Sequence, residues 1–102
     1  MKDEMWKSEL IRIREYQCEY CKFRRATELH HALIPRMKGK PELDCAENYM
    51  CVCSVCHTGK ELLDTQEVRL WFWNIQVRRY GHIHMVEWMK RLPLKIKFEM
   101  YK

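Results

Sequence analysis

Apolar side chains recur along this chain at two spacings, and the switches between them mark out its elements. Met5, Trp6, Leu10 and Ile13 return every three or four positions with Glu, Lys and Arg between them, which predicts a helix over residues 3–16. That helix should stop near Gln17, where Cys18-Glu19-Tyr20-Cys21 starts a tight turn. Residues 29–34 form a short apolar run around two histidines and predict a strand ended by Pro35. Residues 49–52 predict a second strand, and residues 36–47, with Lys-Gly-Lys-Pro among them, a loop between the two. A helix from about Ser54 should carry His57, Lys60 and Glu61 until Asp64-Thr65 breaks it.

Thr65 is a good N-cap for a further helix over residues 66–80, which Gly81 should end. Plotted at about 100° per residue, this helix carries two apolar stripes. Val68, Trp71, Phe72 and Ile75 lie on one side, with Leu70, Trp73, Val77 and Tyr80 on the other. Such a helix is expected between two layers. Met85, Trp88, Met89 and Leu92 then give one stripe at i, i+3, i+4 and i+7, on a helix that Pro93 ends and that pairs with its predecessor as a helical hairpin. Leu94, Ile96, Phe98 and Met100 alternate with polar residues and predict a C-terminal strand. The expected class is α+β, with a core over residues 1–64 and a helical extension over 65–102. The extension would pack on the core, on a second copy in a homodimer, or on another protein partner.

Composition narrows the class. A chain of 102 residues, 47% apolar and 32% charged, fits one folded domain with a small core, to which a bound metal would add stability. Met1-Lys2-Asp3-Glu4 does not resemble a signal peptide, and no run of about 18 apolar residues is present to span a membrane. The expected location is cytoplasmic, where six cysteines read as metal ligands or buried thiols rather than disulfides. A net charge of +5 favours a polyanionic partner.

Cys18-x-x-Cys21 and Cys53-x-x-Cys56 are two knuckles, each aiming two thiolates at one point. Four thiolates make a closed tetrahedral site for structural zinc. Cys51 and Cys45 both read as small buried hydrophobes, although Cys51 could replace Cys53 in the site. His30 and His31 are neighbours on the first strand, so they should point to opposite faces and divide two tasks. His57 follows Cys56 directly, so a zinc knuckle would hold it at a helix start, where it and a strand histidine can ligate one divalent ion. Asn48 heads the second strand, and its amide can brace the long loop. Two imidazole ligands favour Mn, Ni, Co or Zn over Mg. Arg36, Lys38 and Lys40, with Arg24 and Arg25, could contact phosphates.

The order Cys-Glu-Tyr-Cys, His30-His31, Asn48, Cys53-Ser-Val-Cys56-His57 resembles the HNH nuclease family over residues 18–61. The resemblance implies a ββα-metal fold, two antiparallel strands packed on a helix that shares the metal. It implies an endonuclease that hydrolyses phosphodiester bonds in DNA, leaving 5′-phosphate and 3′-hydroxyl ends. By that resemblance His31 is the general base, His30 and His57 hold the catalytic Mn, Mg, Ni or Zn ion, and Asn48 braces the loop or joins the ligands. Glu61, one helical turn beyond His57, is a candidate third ligand. The small size and helical tail resemble HNH proteins encoded by phages and mobile elements. A zinc-stabilised nucleic-acid-binding module without cleavage is the alternative, and an inert docking protein the other; neither needs His30, His31, Asn48 and His57 together.

Overall fold

The computed structural model describes residues 2–36 and 38–92, without the side chains of residues 2–4, 60 and 61. The expected C-terminal strand from Leu94 lies outside the described residues. The fold is α+β. It runs from helix α1 (Lys2–Ile13) through strand β1 (Glu28–His31) to strand β2 (Tyr49–Val52), then through four helices: α2 (Ser54–Thr58), α3 (Lys60–Leu63), α4 (Gln66–Tyr80) and α5 (His82–Arg91). No helix among the described residues is long and apolar enough to cross a membrane.

Helix α1 ends three residues before the expected position. Glu15 and Tyr16 adopt left-handed backbone conformations (φ 62° and 58°), and Tyr16 N–H reaches back to Ile11 O at 2.9 Å. This turns the chain into the first cysteine knuckle, a miniature hairpin closed by a bridge between Gln17 and Arg25. The two strands pair antiparallel in the register Glu28↔Val52, Leu29↔Cys51, His30↔Met50 and His31↔Tyr49. Strand β1 is shorter than the apolar run suggests. After Ala32 donates to Asn48 O at 2.8 Å, Leu33 and Ile34 leave the ladder and bond to the Asn48 side chain instead.

All four residues of β2 are buried, and their alternation feeds two apolar clusters. Met50 and Val52 enter the larger, with Leu33, Ile34, Leu43, Leu63, Phe72, Trp73, Met85 and Trp88. Tyr49 and Cys51 enter the smaller, with Leu10 and Ala26, backed by Trp6. The helices after residue 65 therefore supply side chains to the same core as the hairpin. Thr65 Oγ1 caps α4 by accepting Val68 N–H at 3.1 Å, and Gly81 (φ 97°) ends it. The single helix expected over residues 54–64 is two, divided at Gly59. Of the apolar residues on α4, Phe72 and Trp73 are buried while Trp71 stays partly exposed, edge-on to Tyr20.

A polar network crosses the smaller cluster. The Arg14 and Glu19 side chains are 4% and 8% exposed and pair at 2.9 Å. Arg14 also donates to the carbonyls of Tyr49 and Ala46 and to Tyr80 Oη, while Glu19 accepts from Cys51 N–H and from Arg79, each at 2.7 Å. Fully buried Gln76 donates to the carbonyls of Ala46 and Glu47, both at 3.0 Å. One carboxylate thus joins the end of α1, the knuckle, β2 and α4. Removing it strands a buried guanidinium, so Glu19→Ala should lower the free energy of unfolding in urea by about 3–5 kcal/mol. Glu9→Ala, which removes the exposed partner of Arg12 on α1, should leave the urea midpoint unchanged.

Candidate metal centre and the histidine pair

Cys18 and Cys21 sit on the first knuckle, whose turn is set by Lys22 at φ 62° and a Lys22 N–H bond to Cys18 O at 3.0 Å. Cys53 is the N-cap of α2, its sulfur accepting Cys56 N–H at 3.4 Å, so Cys56 lies in the first turn. The four sulfur atoms all lie within 4.8 Å of one another, and the four cysteines are free of disulfides. Backbone N–H groups of Arg24 and Phe23 pull the Cys21 thiol down to about 6, whereas burial and the neighbouring sulfurs push Cys56 up to about 12. The first proton leaves such a cluster easily and the last is held, until a cation replaces them. Four converging sulfurs are a donor set that suits zinc and leaves no open position. Cys51 is not among them. It lies in the smaller cluster against Arg14, its thiol pushed by burial up to about 11, and Cys45 is likewise held up at about 11.

His30 and His31 point to opposite faces of β1, as neighbouring strand residues must. The His30 side chain is 8% exposed and lies beside His57, with ring centroids 5.6 Å apart. Burial pushes the His30 ring below its ordinary value, and the neighbouring His57 adds to this against the opposing Asp64. Asp64 Oδ1 is 3.2 Å from the buried His30 Nε2, an ion-pair distance without the alignment of a hydrogen bond. His57 Nδ1 pairs with Glu28, which shares a face of β1 with His30 because the two are two positions apart. That contact fixes the His57 ring and leaves its Nε2 outside the pair. The nitrogen and oxygen donors here do not converge as the thiols do; among the described residues the four cysteines are the one group of three or more within 4.8 Å. The side chain of Glu61, the expected candidate one turn beyond His57, lies outside the described residues.

On the other face, His31 Nε2 is 2.7 Å from Asp44 Oδ1 and its ring leans on Tyr49, 4.8 Å between centroids. The hydrogen bond from His31 holds the Asp44 carboxyl below the usual carboxylate range, and Tyr49 Oη donates to the same oxygen at 3.2 Å. An ionised Asp44 accepts from His31 Nε2, which leaves Nδ1 outside that bond. Arg36, Lys38 and Lys40 line a crevice whose wall includes the same Asp44. Asn48 is fully buried and spends its whole amide on the loop. Its oxygen accepts from Leu33 and Ile34 N–H at 3.0 and 2.8 Å, and its nitrogen donates to Ile34 and Leu43 carbonyls at 2.9 and 3.0 Å. No lone pair remains for an ion.

The carboxylates escaped the sequence reading. Glu28 carried a signal, its period-two spacing from His30, whereas Asp44 and Asp64 reach their histidines only through loop geometry. His84, on the surface, pairs with Glu47 at 2.8 Å and stacks on Tyr80. Compared with known proteins, the chain matches no family model, no curated protein and no solved structure.

Zinc release should unfold the region around the knuckles. Metal analysis of purified protein should find zinc, lost in Cys21→Ala and Cys53→Ala, and chelation should abolish the cooperative thermal transition seen by circular dichroism.

Proposed function

We propose that this chain is a metal-dependent endonuclease of the HNH type that hydrolyses phosphodiester bonds in DNA. The observation that carries the reading is the juxtaposition of His30 on β1 with His57 on α2, with the buried His30 Nε2 3.2 Å from Asp64 but without an aligned hydrogen bond. A buried imidazole nitrogen set against a carboxylate without an aligned hydrogen bond is costly, and an ion bound there would relieve that cost. Two imidazoles and a carboxylate are side-chain types that suit a divalent cation with open positions, which would draw them closer than they stand. Such an ion would supply charge stabilisation to a phosphate and its leaving oxygen.

The chain's own residues divide the remaining work. His31, kept on the opposite face from His30, offers Nδ1 to a water while Asp44 holds Nε2–H and steadies the ring. Tyr49 supports both, through its hydroxyl on Asp44 and its ring under His31. Asn48 fixes the loop between the strands and so the height of Leu33 and Ile34 beside the histidines. Arg36, Lys38 and Lys40, on the crevice that shares Asp44, are where a phosphate backbone would be drawn in and aligned. One such site cuts one strand, so a double-strand break would need two copies or two events.

Zinc-loaded protein should nick supercoiled plasmid in the presence of Mn, leaving 5′-phosphate and 3′-hydroxyl ends. His31→Ala should slow nicking by roughly 10²–10⁴-fold while DNA binding by gel shift is kept. Plasmid binding without metal-dependent nicking by the wild type would replace the enzyme with a nucleic-acid-binding module.

A further inference from the structure

The turn after Cys21 presents four residues to solvent in succession, Lys22, Phe23, Arg24 and Arg25. Phe23 is 89% exposed, the highest value among the large apolar residues described. The other aromatic side chain of this knuckle, Tyr20, is spent on Trp71, edge-on at 6.0 Å between centroids. An exposed apolar residue by itself is ordinary on a protein surface. Here the backbone beneath the ring is not free to fold it away.

Lys22 is held in a left-handed conformation, its N–H on Cys18 O at 3.0 Å and its carbonyl accepting Gln17 Nε2 at 3.3 Å. Cys18 N–H bonds to Arg24 O at 2.9 Å, Gln17 bridges Arg25, and the N–H groups of Phe23 and Arg24 face the Cys21 sulfur. Arg25 lays its guanidinium over the Tyr16 ring, 4.2 Å from the centroid. The tip is fixed from both flanks and from the thiolate beneath, and a ring fixed in advance loses little freedom on binding. An apolar pocket on another protein would have to desolvate the flanking cations. A nucleic-acid strand instead supplies a π-face for the ring and a phosphate for each charge. Within a duplex those faces are covered by neighbouring bases, so the ring needs a base that is unpaired or turned out.

We propose that Phe23 is a stacking platform for an unpaired base of a DNA strand, with Lys22 and Arg24 on the adjoining phosphates. The choice of DNA rests on the endonuclease reading above, whose substrate it narrows to DNA with a single-stranded stretch or an opened base step. The sulfur cluster connects the two. Phe23 lies two residues after Cys21 and His57 one residue after Cys56, and the sulfurs of those cysteines are within 4.8 Å of each other. A base held on the knuckle is therefore held against the same clamp that places His57.

The test is fluorescence anisotropy of the zinc-loaded full chain with a labelled single-stranded deoxyoligonucleotide and with its duplex. Phe23→Ala should weaken single-strand binding by about 5- to 150-fold, the range that removal of a base-stacking ring gives, and leave duplex binding at wild-type affinity. Phe23→Trp should retain single-strand binding, and Phe23→Leu, apolar but without a π-face, should lose it as alanine does. All three should keep wild-type zinc content and thermal transition, because the ring is exposed. Arg24→Gln should take about 0.7 from the slope of log affinity against log salt for the single strand. Single-strand binding that survives in Phe23→Ala, or that leucine restores, would overturn the stacking assignment and leave the endonuclease reading intact. Failure of the wild type to bind either form of DNA would instead remove both readings.

Discussion

Four sulfur atoms within 4.8 Å of one another impose the constraint from which the remaining geometry follows. Ionised together they repel, so the arrangement is stable when a cation takes the place of their protons. It ties the turn after α1 to the first turn of α2, across the 31 residues between Cys21 and Cys53. His57 is the residue after the last of these sulfurs, so its place beside β1 is inherited from the clamp rather than from its own helix, which is only five residues long. A small core leaves such a chain little surplus stability, and a bound ion adds to it directly.

Alternation along two short strands does the rest. On β2 it sends Met50 and Val52 into one cluster and Tyr49 and Cys51 into the other, so the strand is covered on both sides. On β1 it sends Glu28 and His30 toward His57, and His31 toward Tyr49 and Asp44. A slip of one residue in this pairing would exchange the two imidazoles between their environments. The register is held from outside the sheet, by Glu19 on the Cys51 N–H at one end and by Asn48 under Leu33 and Ile34 at the other.

What could be read from the residues alone was what is settled locally. The caps Thr65 and Gly81 bound α4 where the pattern put them, because a hydroxyl acceptor and a left-handed glycine act within one turn. Strand β2 was legible in the same way, and the pairing of the two CxxC knuckles followed from the chemistry of a four-thiolate site rather than from local geometry. The division at Gly59 was not, since nothing within that segment forbids a continuous helix. Nor was the burial of Arg14, Glu19 and Gln76, polar residues whose partners are supplied by three different elements. At the histidines, opposite orientation followed from strand geometry, whereas Asp44 and Asp64 depend on where two loops cross and left no periodic trace.

The buried amide of Asn48 closes the loop at Ile34 and Leu43, and the cationic stretch between those two points hangs outside the closure. Insertions at positions 38–40 therefore load onto the clasp before they reach β1. Asp44 belongs to both places, walling the cationic crevice and steadying the His31 ring, so the charge of one and the orientation of the other meet in a single side chain.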